Sequence, residues 1–281
     1  MHIYSYNSKQ SVKSTDRLRT VKIQKVKIET PTIKSFTFYD EACTKASPGQ
    51  FVMVWIPGVD EIPMSLSMIR GNYSVITVKK IGEASEALHN LKSGDFVKIR
   101  GPYGLGFTIA TGNIMVVGGG IGIAPLAPLV KNLAKPPSKI TLITGARTYN
   151  EILFLERMKQ DLSRINAKII VTTEDGSYGK KGLATDPAEE ELAKQKFDTI
   201  YTCGPEKMMQ KMFLLSEQYS TPLQASLERL IRCSIGLCGS CMIGKFRVCK
   251  DGPVFTSFQL RKIKNVFGVY KRDLSGRRIR I

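Results

Sequence analysis

The feature that most restricts the fold of this chain is a group of cysteines, because four of its six cysteines lie within residues 233–249. They follow the spacing C-x4-C-x2-C-x7-C, at Cys233, Cys238, Cys241 and Cys249. A C-x4-C-x2-C run followed by a fourth cysteine is the plant-type spacing of a [2Fe–2S] site. The backbone must turn back on itself to bring the thiolates together, and Gly236 and Gly239 permit the positive φ that such a loop needs. The sequence therefore predicts that these four cysteines bind a [2Fe–2S] cluster.

Two other roles for clustered cysteines stay open at this point. Structural zinc also takes four cysteines, usually in CxxC pairs, and here Cys238 and Cys241 alone form such a pair. Disulfide bonds are typical of secreted proteins, whereas residues 1–20 are polar and do not resemble a secretory signal. Cys43 and Cys203 stand apart and are interpreted as ordinary core residues. We therefore expect a cytoplasmic chain whose clustered thiols are metal ligands.

The length and composition, 42% hydrophobic and 23% charged, fit two globular domains with an appended segment. No apolar run approaches the roughly 18 residues that a membrane helix needs, so no membrane association is expected. The formal net charge is +18. Residues 1–30 contain seven Lys and Arg against two acidic residues, a net +5, and residues 257–281 contain eight against one, a net +7.

Basic ends of this kind could bind nucleic acid. Few aromatic residues are interleaved with the basic ones, which disfavours that function. Solvated ends, or ends that dock on an acidic partner subunit, are the favoured interpretation.

Residues 20–100 carry the pattern of short β-strands. Strand-like runs occur at residues 21–28, 35–39, 51–56 and 73–80, the first two with alternating apolar and polar residues. Pro-Gly and Gly-Asn turns separate the runs, and residues 84–92 are predicted to form a single helix. Short strands at this spacing predict a small antiparallel barrel.

Two stretches of the predicted barrel point to a phosphate-bearing ligand. The stretch PMSLS (residues 63–67) ends a predicted strand, and the stretch GEAS (residues 82–85) begins the helix. Free N–H groups and the dipole at a helix start favour a bound phosphate. A serine at a helix start is also the usual N-cap, so neither stretch carries the prediction without the other.

From residue 109 the spacing of apolar residues predicts alternating strands and helices. Residues 113–117 form a predicted strand, residues 118–122 (GGGIG) a glycine turn and residues 124–133 a helix, an order in which the backbone can approach a pyrophosphate closely. A tight structural turn is the alternative, since the glycines depart from strict GxGxxG. Further elements are predicted at residues 139–144, 151–163, 168–172, 187–195, 199–203 and 206–218. This succession predicts a parallel sheet with helices on both faces and ligands at the carboxyl ends of the strands, where Arg147 could hold a nucleotide phosphate.

The fold class predicted from these patterns is α+β and multidomain. It comprises an N-terminal antiparallel β-barrel, a Rossmann-like α/β domain with a parallel sheet and a small cysteine-rich segment. The predicted division is a basic arm (1–19), the barrel (20–108), the α/β domain (109–225), the cluster segment (226–255) and a basic tail with little apolar periodicity (256–281).

The order of these stretches resembles the ferredoxin-reductase-like flavoproteins. The resemblance rests on PMSLS, GEAS, GPYGLGF, VVGGGIGIAPL, TCGP and the cysteine run, and it covers residues 21–255. Within that group, SLERLIRCSIGLCGSC followed by RVCKDGPVF is similar to the electron-transfer subunits of heteromeric dihydroorotate dehydrogenases. The resemblance implies FAD on the barrel, a nicotinamide dinucleotide on the α/β domain, and a [2Fe–2S] cluster that relays electrons to a separate FMN-containing catalytic subunit in a hetero-oligomer.

The resemblance also implies the residues of each site. Those that would line the flavin and its ribityl chain are Pro63, Met64, Ser65, Leu66, Val78, Lys79 and Lys80. Those that would hold the FAD phosphates are Gly82 and Ser85. Those that would form the nicotinamide site are Gly119, Gly120, Gly122, Cys203, Gly204 and Pro205. No acid–base pair or nucleophile is required, because a flavin converts a two-electron hydride into single electrons for a cluster.

One position departs from the family pattern. Many relatives have Arg directly before the Pro-x-Ser stretch, where it pairs with the FAD pyrophosphate, and this chain has Ile62. Arg70, Lys79 or Lys80 could take that role.

The predicted function is thus electron transfer between NADH, NADPH or another carrier and a dihydroorotate dehydrogenase catalytic subunit, in pyrimidine biosynthesis. The same modules could serve a sulfide dehydrogenase, an NADP–ferredoxin transhydrogenase or a hydrogenase-type complex. A non-enzymatic zinc or cluster module that binds nucleic acid is a third hypothesis, from a different class.

Overall fold

The structure, a computed structural model, describes residues 14–273 and 275–281. Most of the predicted basic arm therefore lies outside the described residues. In the described part of the chain, each helix is too short or too polar to cross a membrane.

The N-terminal part is a closed barrel of six strands. The strands are β1 (Arg19–Thr30), β2 (Ile33–Phe38), β3 (Phe51–Ile56), β4 (Asp60–Arg70), β5 (Tyr73–Lys79) and β6 (Phe96–Tyr103). They pair in the order β1-β2-β5-β4-β3-β6, and the pairing is antiparallel throughout. Helix α1 (Glu41–Thr44) follows β2, and helix α2 (Glu83–Asn90) follows β5. The antiparallel barrel predicted from the alternating pattern is confirmed.

Alternation along each strand sends one set of side chains into the barrel and the other outward. Val52 and Val54 of β3 pack inside the barrel with Ile99 of β6. Phe51 and Met53 of the same strand face outward and belong to a core shared with the rest of the chain. Since both faces of β3 are buried, this side of the barrel is joined to the second domain.

The second domain is built on a seven-stranded sheet in the order β10-β9-β8-β7-β11-β12-β15. Its strands are β7 (Asn113–Gly119), β8 (Lys139–Ala146), β9 (Ala167–Thr173), β10 (Lys180–Lys181), β11 (Thr199–Cys203), β12 (Leu223–Ser226) and β15 (Val254–Thr256). All neighbouring strands are parallel except β15, which runs antiparallel to β12. The predicted parallel sheet is confirmed, and the antiparallel edge strand comes from the predicted cluster segment.

Helices cover both faces of the sheet. They are α3 (Ile123–Leu133), α4 (Leu155–Leu162), α5 (Thr185–Lys194) and α6 (Glu206–Gln218). Side chains of α3 and α4 share one core with Ile114 and Val116, whereas those of α5 and α6 share the opposite core with Met115 and Val117. Adjacent residues of β7 thus point to opposite faces, as a strand buried on both sides requires.

The segment after β12 contains small elements. They are β13 (Met242–Ile243), β14 (Phe246–Arg247), α7 (Val248–Asp251), α8 (Ser257–Arg261), β16 (Tyr270–Arg272) and β17 (Arg278–Arg280). Leu260, Ile263 and Phe267 are at most 3% exposed and pack in the core shared by α5 and α6. The prediction that residues 256–281 form a tail with little apolar periodicity was therefore wrong for its first half, which belongs to the hydrophobic core.

Two further local predictions were wrong. The PMSLS stretch lies inside β4, which extends to Arg70, and does not end a strand. Helix α4 begins at Leu155 and not at residue 151, because residues Tyr149–Glu151 form a separate 3-10 turn.

Candidate functional site

The two glycine-containing loops predicted for the nicotinamide site are in direct contact. Strands β7 and β11 are neighbours, and Cys203 is paired with Gly118 at their carboxyl ends. A Cβ atom added to Gly122 would overlap the carbonyl oxygen of Cys203 and lie 2.5 Å from its carbonyl carbon. A Cβ on Gly119 would lie 2.8 Å from Cδ of Pro205. Glycine is required here because the two backbones touch.

A cavity of about 1340 Å³ opens at the carboxyl ends of the sheet strands. Its lining includes five residues predicted for cofactor sites, namely Lys79, Gly119, Gly120, Gly204 and Pro205. Cys203 is 2% exposed and lies behind the lining, where burial raises the pKa of its thiol. Gly122 is buried as well. These last two residues therefore shape the cleft from behind.

We expect Gly122→Ala to lower the melting temperature and to weaken nicotinamide nucleotide binding. The new methyl group meets backbone atoms of Cys203 and Gly204, which cannot rotate away, so overpacking of about 1–3 kcal/mol is expected. Thermal unfolding and equilibrium binding of NAD+ would measure the two effects. Gly82→Ala is the steric control, since its Cβ would have no atom within 4 Å and only the preference of the helix α2 N-cap for glycine over alanine would be lost. Equal melting temperatures for the two variants would contradict this account of the turn.

The residues predicted to line the flavin lie on the neighbouring strands β4 and β5. Pro63, Met64 and Ser65 are partly exposed on β4. Leu66 and Val78 are at most 1% exposed, and their side chains pack inside the barrel. A flavin on the outer surface would therefore meet these two residues through their backbone alone.

Ser85 is fully used in the cap of helix α2. Its hydroxyl accepts hydrogen bonds from the backbone N–H groups of Ile81 (2.9 Å) and Gly82 (3.0 Å), and it donates to the carbonyl of Gly82 (2.8 Å). A hydroxyl has one proton to donate and two lone pairs to accept with. A contact between Ser85 and a phosphate would have to replace one of these bonds.

The basic residues considered as substitutes for the missing arginine lie in different places. Lys79 lines the cavity at the carboxyl ends of the sheet strands, with its Nζ 4.0 Å from a carboxylate oxygen of Glu151. Lys80 forms an ion pair with Glu86 of helix α2. Arg70 lines a different cavity, between the barrel and α4. Ile62 itself packs against the barrel core. Lys79 is therefore the one of the three that faces the cleft.

Arg147, predicted to hold a nucleotide phosphate, also lines the cavity. Its guanidinium donates hydrogen bonds to the carboxylate of Glu151, and this interaction raises the pKa of Arg147. The arginine is thus already paired.

The four clustered cysteines lie together as two pairs. The backbone N–H of Cys238 donates to Sγ of Cys233 (3.4 Å), and the backbone N–H of Cys249 donates to Sγ of Cys241 (3.5 Å). Cys241 and Cys249 are buried, whereas Cys238 is exposed. In the described ranges no three Cys, His, Asp or Glu side chains already have the geometry to hold a single metal ion. The ligand role of the four cysteines stays a prediction.

Backbone groups favour the thiolate form of Cys233. Burial alone would raise the pKa of this thiol, but hydrogen bonds from the N–H groups of Cys238, Leu237 and Ile235 outweigh it and lower the pKa to about 6. Burial, together with the neighbouring Cys241, raises the pKa of Cys249 to about 12. The loop thus directs several N–H donors at one sulfur, as expected for a metal-binding thiolate.

Arg100 joins the barrel to the cysteine segment. Its guanidinium forms two hydrogen bonds of 2.6 Å with the carboxylate of Glu61. It also donates to the backbone carbonyls of Cys233 (2.9 Å) and Arg232 (3.1 Å). Arg100 is 16% exposed and Glu61 22% exposed. The backbone of the first predicted cluster ligand is therefore held against β6 of the barrel.

Sequence reasoning missed several residues that line the same cavity. They are Met208, Glu228, Arg229, Lys271 and Ile279. Glu228 lies in the SLERL stretch, whose resemblance to the family implied no role for the glutamate. The Glu228 side chain is exposed in the cleft, where Glu206 and Lys271 are near enough to act on its charge.

The fold and the site define an oxidoreductase of the ferredoxin-reductase-like class. A family model described as an oxidoreductase NAD-binding domain matches residues 116–213. One solved structure, described as an NADH-dependent reduced ferredoxin-NADP oxidoreductase, superposes with a TM-score of 0.77 at 28% identity and covers 88% of this chain and 92% of that one. The flavohem-like FAD/NAD binding domain of a Vibrio cholerae nitric oxide dioxygenase shares the fold, with a TM-score of 0.62 at 23% identity over 72% of this chain and 94% of that one.

Relatives with similar sequences identify the family within this class of oxidoreductases. A Methanocaldococcus jannaschii protein described as a probable dihydroorotate dehydrogenase B (NAD(+)), electron transfer subunit, is 42% identical over 92% of this chain and 96% of that protein. A Methanocella arvoryzae protein with the same description is 45% identical over 92% and 97%. A model described as the iron-sulfur cluster binding domain of dihydroorotate dehydrogenase B matches residues 228–261. The chain belongs to the family of dihydroorotate dehydrogenase B electron transfer subunits.

Proposed function

We propose that this chain passes electrons between a nicotinamide nucleotide and a dihydroorotate dehydrogenase catalytic subunit, through FAD and a [2Fe–2S] cluster, in pyrimidine biosynthesis. The observation that best supports this proposal is that Arg100 attaches the cysteine segment to the barrel. Arg100 lies opposite Met53 on β3, and Met53 lies opposite Pro63 on β4. At about 4.8 Å between strands, the attachment point is about 10 Å from the stretch proposed for the flavin. The two proposed redox sites would therefore lie close together on the barrel.

The residues present fit the cluster. The four cysteines form two pairs, each joined by a hydrogen bond from the backbone N–H of one cysteine to the sulfur of the other, which suits a two-iron cluster held by four cysteines. Among the described residues, the hydroxyl of Ser234 is buried without a hydrogen-bond partner. Such a group normally costs about 1–3 kcal/mol, and a cluster sulfur would give it an acceptor. Cys233, Cys238, Cys241 and Cys249 would be the ligands.

The barrel residues fit a flavin along β4 and β5. The residues that would contact it are Pro63, Met64, Ser65, Leu66, Val78, Lys79 and Lys80, with Gly82 and Ser85 near its phosphates. A bound FAD can accept two electrons as hydride and release them singly, which a path from nicotinamide to cluster needs. Lys79 would contribute positive charge at the edge shared with the nicotinamide cleft.

The contact between the two glycine loops forms the floor of the nicotinamide cleft. Backbone at Gly119, Gly120, Gly204 and Pro205 would lie against the nucleotide, because side chains there are small or absent. Gly122 and Cys203 would hold the two loops together from behind.

An FMN-containing catalytic subunit is the proposed partner, since the relatives are described as electron transfer subunits. Ile235 is 47% exposed and Leu237 80% exposed beside the cysteines, which offers an apolar surface for docking next to the cluster. We place the complex in the cytoplasm, because four thiols for a cluster require a reducing compartment.

Anaerobic titration of the purified holoprotein with NADH, and then NADPH, tests the proposed donor. We expect the flavin absorption to bleach and the longer-wavelength cluster absorption to fall in the same titration. Reduction by dithionite but by neither nucleotide would contradict the donor while leaving the cofactors in place. A colourless protein would contradict both cofactors.

The competing proposal is a different redox partner, favoured by the similarity to a ferredoxin-NADP oxidoreductase structure. Co-purification of the complex would separate the two, since a partner that carries FMN and oxidises dihydroorotate supports the first.

A further inference from the structure

The basic C-terminal residues form a hairpin at the nicotinamide cleft. Strand β16 pairs with β17, and Lys271 and Ile279, paired across the hairpin, both line the cavity that contains Gly119 and Gly204. The hairpin is therefore an additional wall of a cleft whose other walls belong to the sheet.

The base of the hairpin is attached to the start of helix α6. The backbone N–H of Gly268 donates to the carboxylate of Glu206 (2.8 Å), and Lys207 donates to the carbonyl of Gly268 (2.7 Å). Gln210 donates to the carbonyl of Phe267 (3.0 Å). Phe267 is 1% exposed in the core, so the hairpin starts from a rigid position. Helix α6 directly follows Gly204 and Pro205, which places the hairpin beside the cleft floor.

The two faces of the hairpin differ. In an antiparallel pair, residues directly opposite each other point to the same side. Lys271 and Ile279 form one such pair and face the cavity. Tyr270 and Arg280 form the next pair, and the guanidinium of Arg278 lies 3.9 Å from the centre of the Tyr270 ring. Lys271 lines the cavity and Arg280 does not, so Arg280 carries the same charge outside the cleft lining.

Most cations around the cavity are already engaged. Arg147 pairs with Glu151, Arg229 with Glu206 and Lys211 with Glu189. Lys207 and Arg272 donate to backbone carbonyls. Lys79, which also lines the cavity, is paired with Glu151. Within the described residues the side chain of Lys271 has no hydrogen bond or ion pair, although Glu228 is close enough to attract it. Lys271 is therefore the cation most available to a ligand.

We propose that Lys271 binds the pyrophosphate of the nicotinamide dinucleotide, and that the C-terminal hairpin is part of the nucleotide site. The inference rests on the proposed nicotinamide donor. The cavity of about 1340 Å³ exceeds the roughly 300–1,000 Å³ of a typical small-molecule site and has room for a dinucleotide. The glycine turn brings N–H groups towards the phosphates from one side. Lys271 supplies a positive charge from the hairpin.

Calorimetric binding of NAD+ and of ADP-ribose to the oxidised holoprotein tests this contact. Lys271→Gln is expected to raise both dissociation constants about tenfold, as for the loss of one charge-assisted hydrogen bond. Lys271→Glu should weaken binding further. Arg280→Gln is the matched control, because it removes one positive charge from outside the cleft lining, and it should bind both ligands as the unaltered protein does. The visible spectra of flavin and cluster should be unchanged in all three variants.

Equal weakening by Lys271→Gln and Arg280→Gln would overturn the proposal in favour of general charge attraction. Unchanged affinity in Lys271→Gln would overturn it while leaving the donor proposal intact. A loss seen for NADP+ but absent for NAD+ would place Lys271 at a 2′-phosphate and overturn the pyrophosphate assignment. Failure of the unaltered protein to bind either nucleotide would overturn the donor and this contact together.

Discussion

Replacing Cys238 with serine is expected to remove the visible absorption and the reduced-state EPR signal of the cluster while FAD stays bound. Replacing a residue that hydrogen-bonds to a metal ligand typically lowers metal affinity about 10–100-fold, so the loss of a ligand itself should lower it more. Cys238 is exposed, and its backbone N–H also donates to Sγ of Cys233, so serine can keep the loop while losing the thiolate. Electron transfer to the catalytic subunit should be abolished, because the single-electron path ends at the flavin.

Absorption, EPR and iron content of the Cys238→Ser protein would measure this effect. Cys43→Ala is the control, since Cys43 is fully buried beside the barrel and distant in sequence from the cluster segment. It should retain iron. Loss of FAD together with the cluster would mean that the cysteine segment mainly stabilises the fold. An unchanged EPR signal would exclude Cys238 as a ligand.

Arg100→Gln is expected to have the second largest effect, a lower cluster reduction potential and slower electron transfer between flavin and cluster. The guanidinium brings a positive charge to the backbone of Cys233, and positive charge near a cluster favours its reduced form. Its removal also frees the segment from β6. Because the pair is partly exposed, we expect a stability loss of about 2 kcal/mol rather than the full value of several charged hydrogen bonds.

Redox titration and stopped-flow reduction of the Arg100→Gln holoprotein would show both effects. Arg19→Gln is the matched control. Arg19 makes a similar two-bonded contact with Asp40 and donates to the carbonyl of Gly101, all within the barrel. It should lose stability without a change in cluster potential. Arg100→Gln leaves the Glu61 carboxylate without its partner. The double variant Glu61→Gln with Arg100→Gln removes that negative charge as well. If the cluster reduction potential is unaltered in both variants, Arg100 has only a structural role.

Much of the fold follows from local patterns. The run at residues 51–56 was predicted with the bounds that the structure shows, because strand periodicity and flanking turns define it locally. The contact of residues 260–267 with the core had a readable signal as well. Leu260, Ile263 and Phe267 are spaced i, i+3 and i+7, a helical period that was overlooked within a strongly basic stretch.

For other features the local signal was ambiguous. Ser85 has the sequence position of a phosphate ligand, yet its bonding capacity is taken by its own helix cap. The turn at Tyr149–Glu151 shortened helix α4 although the residues there do not exclude a helix. In both cases neighbouring backbone groups decided the outcome.

The sequence by itself determined the cysteine spacing, the glycine turns and the order of barrel, sheet and cluster segment. These depend on residues close together in the chain, whose conformational preferences and spacing are local properties. Only the tertiary structure decided that Arg100 meets Cys233, 133 positions away, and that Lys271 faces the cleft. Such contacts arise when separate elements bury their apolar faces against one another, and that packing, rather than the spacing of the polar residues, sets which polar side chains meet.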